Sequence, residues 1–463
     1  MKAYENLNPY FGDLHTHCRI SYGHGPLEDA LKNAEEQLDF CSVTGHAHWP
    51  DMPAPDERIQ YIIDFHKEGF ARLKAGWLKI LETLKARDRA GKMIIFPGFE
   101  IHMNSDGDRT IFYKELAGEI LYAESLPDLY NRLNALNAAG NDVMSFPHHI
   151  AYRRGTRGIN WETFAPEIEQ NVELISMHGC SETSENTRPF LHSMGGSDWE
   201  STVQYGLAAG KIFGFLGCTD HHSGHPGSYG HGATGVWAES KTRDALWNAI
   251  RARRTYAITG DRIALKFSIN GNPMGSVLQN SGAREIEFDV SAGGAIDYVD
   301  IVKNNQIFRR FSECDVKPAP AGKIIRTKLY LELGWGERKK ITPWEVDFGI
   351  SAGKILNVEP RFRGREVVSP VEQTGGESEY YTSHWEKTGE RSVHFVTKSE
   401  ANPNNMTPAT QGMCIEVEMP VNENIVANIN GQKETIPLQR LIAGAHTGHL
   451  GDIDSPCYRF SRA

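Results

Sequence analysis

Two histidines separated by a single residue stand near the start of the chain, in Gly12-Asp13-Leu14-His15-Thr16-His17. On an extended strand residues i and i+2 face the same side, roughly 7 Å apart along the chain, so the pair forms a two-armed metal claw. Alone, a His-x-His is a weak signal. The chain, however, returns to the same residue types at His46 and His48, Glu100 and His102, His148 and His149, His178, and Asp220-His221-His222. Fifteen of the 19 histidines fall between positions 15 and 231, fewer than half of the positions, so they are concentrated where these motifs lie.

Imidazoles mixed with carboxylates suit zinc, manganese or iron better than calcium or magnesium, which prefer oxygen ligands alone. Five or more histidines with two carboxylates exceed the donor set of one ion, so two or more metal ions are expected. Glu100 is placed to bridge two of them, which would activate a water and stabilise charge growing on a phosphoryl or carbonyl oxygen. Asp220 is suited to hold one ion and to accept a proton from the attacking water. Hydrolysis follows from such a set more readily than redox chemistry.

The elements that must carry these residues are short apolar runs. Leu38–Thr44 leads to Gly45-His46-Ala47-His48, Met93–Phe96 to Glu100, Val143–Pro147 to His148, Val172–Met177 to His178 and Ile212–Gly217 to Asp220. Helical periodicity between them, over 26–37, 57–90 and 127–139, and again over 242–253, gives the alternation of a (β/α) barrel, whose active sites lie at the C-terminal ends of the strands. Beyond about residue 263 the texture changes to short alternating runs bounded by Gly and Asn, at 267–271, 285–290 and 299–302 and then 346–357, 392–397 and 413–419, with a Pro318–Gly322 loop between. Two domains are expected: a metal-binding barrel over 1–262 and a β-rich, sandwich-like region over 263–463.

Composition sets the outer bounds. A chain of 463 residues can bury a large core, and no apolar run approaches the ~18 residues a membrane span needs. A formal net charge of -10 argues against a nucleic-acid binder or adhesion to an anionic membrane. A small-molecule substrate is expected instead, and an anionic one would have to be met by local cations or metal. The first eleven residues hold no apolar signal core, which makes the cytoplasm the expected compartment. Seven scattered cysteines without a Cys-x-x-Cys read as reduced thiols, and Cys18, Cys180 and Cys218, beside candidate ligands, read equally as small buried residues.

In series, Phe11–His17, Thr44-Gly45-His46, Gly98-Phe99-Glu100, Pro147-His148, Glu173 to His178-Gly179, and Gly217–Gly224 resemble the successive motifs of the polymerase and histidinol phosphatase (PHP) superfamily. Arg251–Ile263 and Phe267–Gly271 resemble a branch of it with a C-terminal β extension. The resemblance covers about residues 9–280. It implies a distorted seven-stranded (β/α) barrel and phosphoester hydrolysis. It further implies a first metal on His15, His17, Glu100 and Asp220, and a second sharing Glu100 with His148 and His178. A third site would use His46 and His222, but Gly45 stands where that superfamily has an aspartate, a loss for which His48 could compensate.

Candidate catalytic groups are therefore Asp220, His222, His46 and Arg153, the last from a loop in which Arg153, Arg154 and Arg157 could clamp an anion. His149 and His221 flank ligand candidates and would face away if the backbone is extended. His102 reads equally as a site or a loop histidine, Asp106 and Asp108 read as turn residues, and His225 as a substrate contact on a glycine-rich lip. Two alternatives to a phosphoesterase remain: a hydrolase of C–N or C–O bonds in amides or lactones, suggested by the altered third site, and a non-catalytic metal-stabilised binding module.

Overall fold

The protein is described from a computed structural model covering residues 1–184, 187–190, 197–279, 282–312, 324–334, 340–364, 382–400, 410–452 and 455–462. Cys314 and the expected Pro318–Gly322 loop lie outside the described residues. Contacts divide the chain into two units, one built on Met1–Ser291 and the other on Ile307–Arg365 and Glu379–Ala463. The boundary expected at 262 falls inside the first unit, because Ala264–Ile269 stays with it: the Tyr4 hydroxyl donates to the Phe267 carbonyl at 2.7 Å.

The first unit is organised on a curled sheet. Its strands are β1 (Asn8–Thr16), β2 (Phe40–His48), β3 (Ile94–Ile95), β4 (Gly98–Ile101), β5 (Arg109–Tyr113), β6 (Val143–Pro147), β7 (Asn171–Ser176), β8 (Gly179–Cys180), β9 (Gly214–Gly217), β10 (Ala233–Ala238) and β11 (Thr255–Ile258). The main sheet runs β11-β10-β1-β2-β4-β5-β6 with β3 on β2, and a separate sheet runs β8-β7-β9. Strands β7 and β9 are parallel and lie beside β6, β10 and β11, but no backbone ladder joins the two sheets. The expected barrel is therefore an open, curled one. Its irregularity has a local cause: β5 turns straight back antiparallel on β4 after the short connection 102–108, and β10 runs antiparallel to β1, so neither is reached by the right-handed helical crossover that a regular repeat requires.

Helices α1 (Leu27–Gln37), α2 (Gln60–Arg87), α3 (Leu126–Ala138), α4 (Val203–Ala208) and α5 (Arg243–Arg251) cover this sheet. All but α2, which starts after Ile59 without a side-chain cap, begin where the sequence places a cap or a proline. Ser125 accepts from the Asp128 amide with Pro127 in the first turn, and Thr242 accepts from the Ala245 amide. Each buries one stripe. From α2 the buried residues are Ile63, Gly69, Leu73, Trp77, Ile80 and Leu84, and Leu73, Trp77, Ile80 and Leu84 join Val43, Ile95 and Phe99 of the strands in one core. Although α2 is 28 residues long, no described helix is long and apolar enough to cross a membrane.

In the second unit two five-stranded antiparallel sheets share one apolar core. One has the order Lys354–Pro360, Gln411–Pro420, Ile324–Gly334, Cys457–Arg462, His446–His449; the other has His384–Gly389, Ser392–Glu400, Ile341–Ile350, Asn424–Ile429, Gln432–Pro437. Alternation builds it: along Ser392–Glu400, Val393, Phe395, Thr397 and Ser399 are buried while their neighbours are half-exposed. The six cysteines among the described residues are free thiols.

A buried ion pair fastens the turn between β4 and β5. Arg109 Nε donates to Glu169 at 2.8 Å, and Glu169 also accepts from Tyr130 at 2.9 Å and Ser145 at 3.0 Å, with both charged residues fully buried. Removing only the cation leaves a carboxylate without its partner. Arg109→Met is expected to cost about 3–5 kcal/mol in chemical denaturation, whereas breaking the exposed Arg58–Asp56 pair with Arg58→Met should leave the denaturation midpoint essentially unchanged.

Candidate metal centre

The first claw is set by backbone contacts at the end of β1. The Asp220 amide donates to the His15 carbonyl and the His17 amide to the His221 carbonyl, both at 2.8 Å, so the two motifs are laced together although 200 residues apart. Asp13 pins the same junction. Its carboxylate accepts from the Thr219 hydroxyl (2.5 Å) and from the amides of His15, Thr219 and Gly227, while full burial pushes its pKa up to about 6. Asp220 is held at φ 51°, a left-handed conformation that a non-glycine residue adopts at a cost and that turns its carboxylate back onto the histidines. Parallel pairing of β2 with β4 sets His46 beside Glu100 in register.

At the centre, unprotonated nitrogens meet carboxylate oxygens. His15 Nδ1 lies 2.8 Å from Glu173 Oε2, and His17 Nδ1 bonds the Thr44 carbonyl. Both partners accept only, which assigns the ring proton to Nδ1 and leaves Nε2 bare on each ring. Yet the two Nε2 atoms are 3.1 Å apart, and they face Glu100 Oε2 at 3.2 and 3.3 Å and Asp220 Oδ1 at 3.4 and 2.9 Å. Four electron-rich atoms converge in a fully buried space with no proton to share. That arrangement calls for a cation, and the Nδ1 anchors are the carboxylate and carbonyl partners that orient metal-ligating histidines.

Further donors surround this group. Sets within 4.8 Å of one another are His15, His17, Glu100 and Asp220; His17, His46 and His222; His178, Asp220 and His222; His46, Glu100 and His102; and Glu100, Asp108, His148 and His149, all buried. His222 repeats the anchoring, with Nδ1 donating to the Asp220 carbonyl at 2.7 Å. His148 Nε2 is buried and 3.2 Å from Glu100 Oε1 without forming a hydrogen bond, an orphaned nitrogen aimed at the carboxylate that would be shared. These donors fit ions of the nitrogen- and oxygen-liking class. The electrostatics agree: burial would raise the pKa of Glu100, but His148, His46 and His102 hold it well below the usual carboxylate range. Asp220 is held down in the same way against its burial, by His15 and His178. Burial lowers the pKa of His17, His46 and His222, which favours the unprotonated ring that can ligate.

The structure brings all eight sequence-selected ligand candidates into these sets, with His178 grouped with Asp220 and His222 rather than with His148. It also adds residues that spacing did not select. Asp108, read as a turn residue, is fully buried, accepts from His102 Nδ1 at 2.9 Å and pairs with Arg157 Nη1 at 3.2 Å. His149 takes φ 31° and is not extended, so its ring turns into the set with Glu100 and Asp108 instead of away. Tyr22 stacks on His46 at 3.6 Å and its hydroxyl lies 2.9 Å from His102 Nε2. Glu173 was part of a motif, but only the fold makes it the anchor of His15. Of the arginines, Arg153 is exposed and Arg154 pairs with Glu200, whereas Arg157 is buried with Asp108, so the cation beside the metal groups is Arg157 and not Arg153. His221 and His225 face each other and His231 on another flank, with His221–His231 ring centroids 5.6 Å apart.

The Gly45 position is explained by alternation along β2. A Cβ there would stand 2.5 Å from Leu73 Cδ1 and 3.2 Å from Ile20 Cγ1, facing the apolar core on the side opposite His46. An aspartate at this position would not reach the site, and His48, whose ring meets Tyr122, belongs to none of the donor sets. Gly45→Asp is accordingly expected to add no metal per folded chain by elemental analysis and to destabilise by about 3 kcal/mol or more in thermal or denaturant unfolding, through an unpaired buried carboxylate. Glu173→Gln, which weakens the His15 anchor, is expected to lower metal affinity about 10–100-fold in a competition titration with a chelator while leaving the fold unchanged by circular dichroism.

Comparisons with known proteins give this chain relatives but no settled activity. Residues 219–281, which include Thr219, Asp220 and His222, match the model of a protein family of unknown function, DUF3604. An uncharacterized protein of Chlamydia pneumoniae is 28% identical over 258 residues, covering 51% of this chain and 40% of that protein. An uncharacterized protein of Chlamydia trachomatis is 30% identical over 191 residues, covering 38% of this chain and 30% of that one. The chain thus spans well under half the length of the curated relatives it matches. A crystal structure of a two-domain protein from Bacteroides vulgatus, described as containing a predicted PHP-like metal-dependent phosphoesterase, aligns over 94% of this chain and 96% of that one, at 10% identity and a TM-score of 0.36.

Proposed function

We propose that the protein is a metal-dependent hydrolase acting on a phosphoester through two or three divalent ions held by His15, His17, Glu100 and Asp220 and by the groups sharing their carboxylates. The observation that carries this reading is the approach of His15 Nε2 and His17 Nε2 to 3.1 Å, with both Nδ1 atoms committed to acceptors and two carboxylates facing them. When bound, such ions lower the pKa of a coordinated water and take up the charge that grows on a phosphoryl or carbonyl oxygen. Asp220 accepts the proton of the attacking water at a carboxylate oxygen. His178 Nε2, 2.9 Å from its Oδ2, is the next group able to take that proton. Glu173 keeps His15 in one tautomer, and the buried walls exclude bulk water, which strengthens each of these interactions.

A phosphoester is favoured over an amide or lactone by the positive edge that Arg157 supplies, since a guanidinium matches phosphate oxygens in a bidentate fork. A C–N or C–O substrate would be favoured by a third site altered at Gly45, but Gly45 faces the apolar core and not the donor groups.

Elemental analysis of protein supplemented with zinc or manganese should return two or more ions per chain; fewer than one would overturn the reading. Screened against phosphomonoesters, phosphodiesters, lactones and amides, the loaded protein should turn over a phosphoester, and Asp220→Asn should lower kcat by about 100-fold or more. Tightly held metal with no turnover of any class would identify a metal-stabilised binding module.

A further inference from the structure

Beside the metal groups lies a cavity of about 420 Å³, walled by Trp49, Met52, Pro53, Pro55, Ile63 and Phe70, with Lys67 at its side. That volume falls within the range of small-molecule sites. Two of its walls are shared with the metal centre. The Trp49 ring packs 5.3 Å from the His102 ring and Phe70 6.1 Å from it, and His102 Nδ1 is 2.8 Å from Glu100 Oε1. The Arg157 guanidinium lies 4.6 Å over the Trp49 ring, so one aromatic face touches both the cavity and the buried cation.

The walls are fixed rather than loose. Trp49 Nε1 donates to Asp51 at 3.0 Å, and Asp51 also accepts from the amides of Asn104 and Ser105, which anchors the loop leaving β2 to the one leaving β4. These donors hold the Asp51 carboxylate at the indole nitrogen and the two amides. The charged side chain lining the cavity is a cation, Lys67, and a second cation, Arg157, lies over the Trp49 ring. Flat apolar walls with positive charge at the edge suit a flat apolar group that carries an anion.

We infer that this cavity is a leaving-group subsite, and that the substrate class is an aryl or similarly flat apolar phosphomonoester, its ring between Trp49 and Phe70 and its phosphate toward Arg157 and the metal groups. The inference rests on the hydrolase reading. In the reaction the water oxygen forms the new bond to phosphorus, the bond from phosphorus to the aryl oxygen breaks, and the released aryl alcohol takes up a proton while inorganic phosphate leaves.

The test compares the metal-loaded full-length protein with Ala54→Trp, which fills the cavity from its exposed rim, and Lys67→Glu, which reverses the charge at its side. Equilibrium dialysis with 1-naphthyl phosphate should show binding weakened about tenfold or more in both variants, while 1-naphthol should be weakened by Ala54→Trp alone. In turnover, the ratio of kcat/KM for 1-naphthyl phosphate to that for methyl phosphate should fall about tenfold or more in Ala54→Trp, with metal content unchanged. Equal binding of 1-naphthyl phosphate by wild type and Ala54→Trp overturns the subsite. Loss of that binding in the variant, in a protein that cleaves no phosphoester, upholds the cavity as a binding site and overturns the hydrolase reading instead.

Discussion

The first unit depends on one electrostatic constraint: a buried group of electron-rich atoms that must be given positive charge to coexist. His15 and His17 present bare Nε2 atoms to each other and to Glu100 and Asp220, and every other ring position is already committed to an acceptor. Left to themselves, the carboxylates draw a proton onto His15: although burial alone would lower its pKa, Asp220 and Glu173 raise it well above the ordinary imidazole value. A proton there stands in for the cation the geometry calls for. A divalent ion would do the same with more charge and more ligands, and would release that proton on binding.

Much of the chain's architecture serves to hold this group in place. The strand ends deliver the side chains, but the ends of β1 and β9 are far apart in sequence and must be brought to a fixed offset. Asp13 does this with four hydrogen bonds across the two motifs, and the reciprocal backbone bonds of His15, His17, Asp220 and His221 complete the junction. The left-handed Asp220 is a conformational cost borne at the site and offset by those bonds. The absence of a ladder between β6 and β7 fits the same picture, since His148, His149 and His178 occupy that seam with their rings, His149 and His178 lying 5.2 Å apart.

What could be read from the sequence was whatever repeats at short range. Apolar runs ending in His, Asp or Glu announced strand ends, and strand-end placement was enough to collect His15, His17, His46, Glu100, His148, His178, Asp220 and His222 into one site. Residues whose role is set by a turn rather than by a strand were not legible. Asp108 lies in a Gly-Asp stretch that reads as an exposed turn, and nothing local says that this turn folds inward against His102 and Arg157. His149 depended on a positive φ that breaks strand alternation, and Arg157 was one of three arginines whose orientations only packing distinguishes. The openness of the barrel was hidden for a related reason: β5 and β10 have ordinary strand patterns, and pattern alone does not state direction.

The charge of the site gives its functional logic. Four buried carboxylates gather here, Glu100, Glu173 and Asp220 around His15 and Asp108 against the Arg157 guanidinium, so negative charge is concentrated in the metal-free group. Divalent ions held by these groups would offset that charge, so any affinity of the site for an anion would be tied to metal loading by electrostatics alone. Arg157 lies at the edge of this group. Its pairing with Asp108 outweighs the burial that would otherwise discharge it, so the cation persists whether or not the ions are present. Positive charge from bound ions and from the guanidinium stacked on Trp49 would therefore lie on adjoining sides of the same buried group.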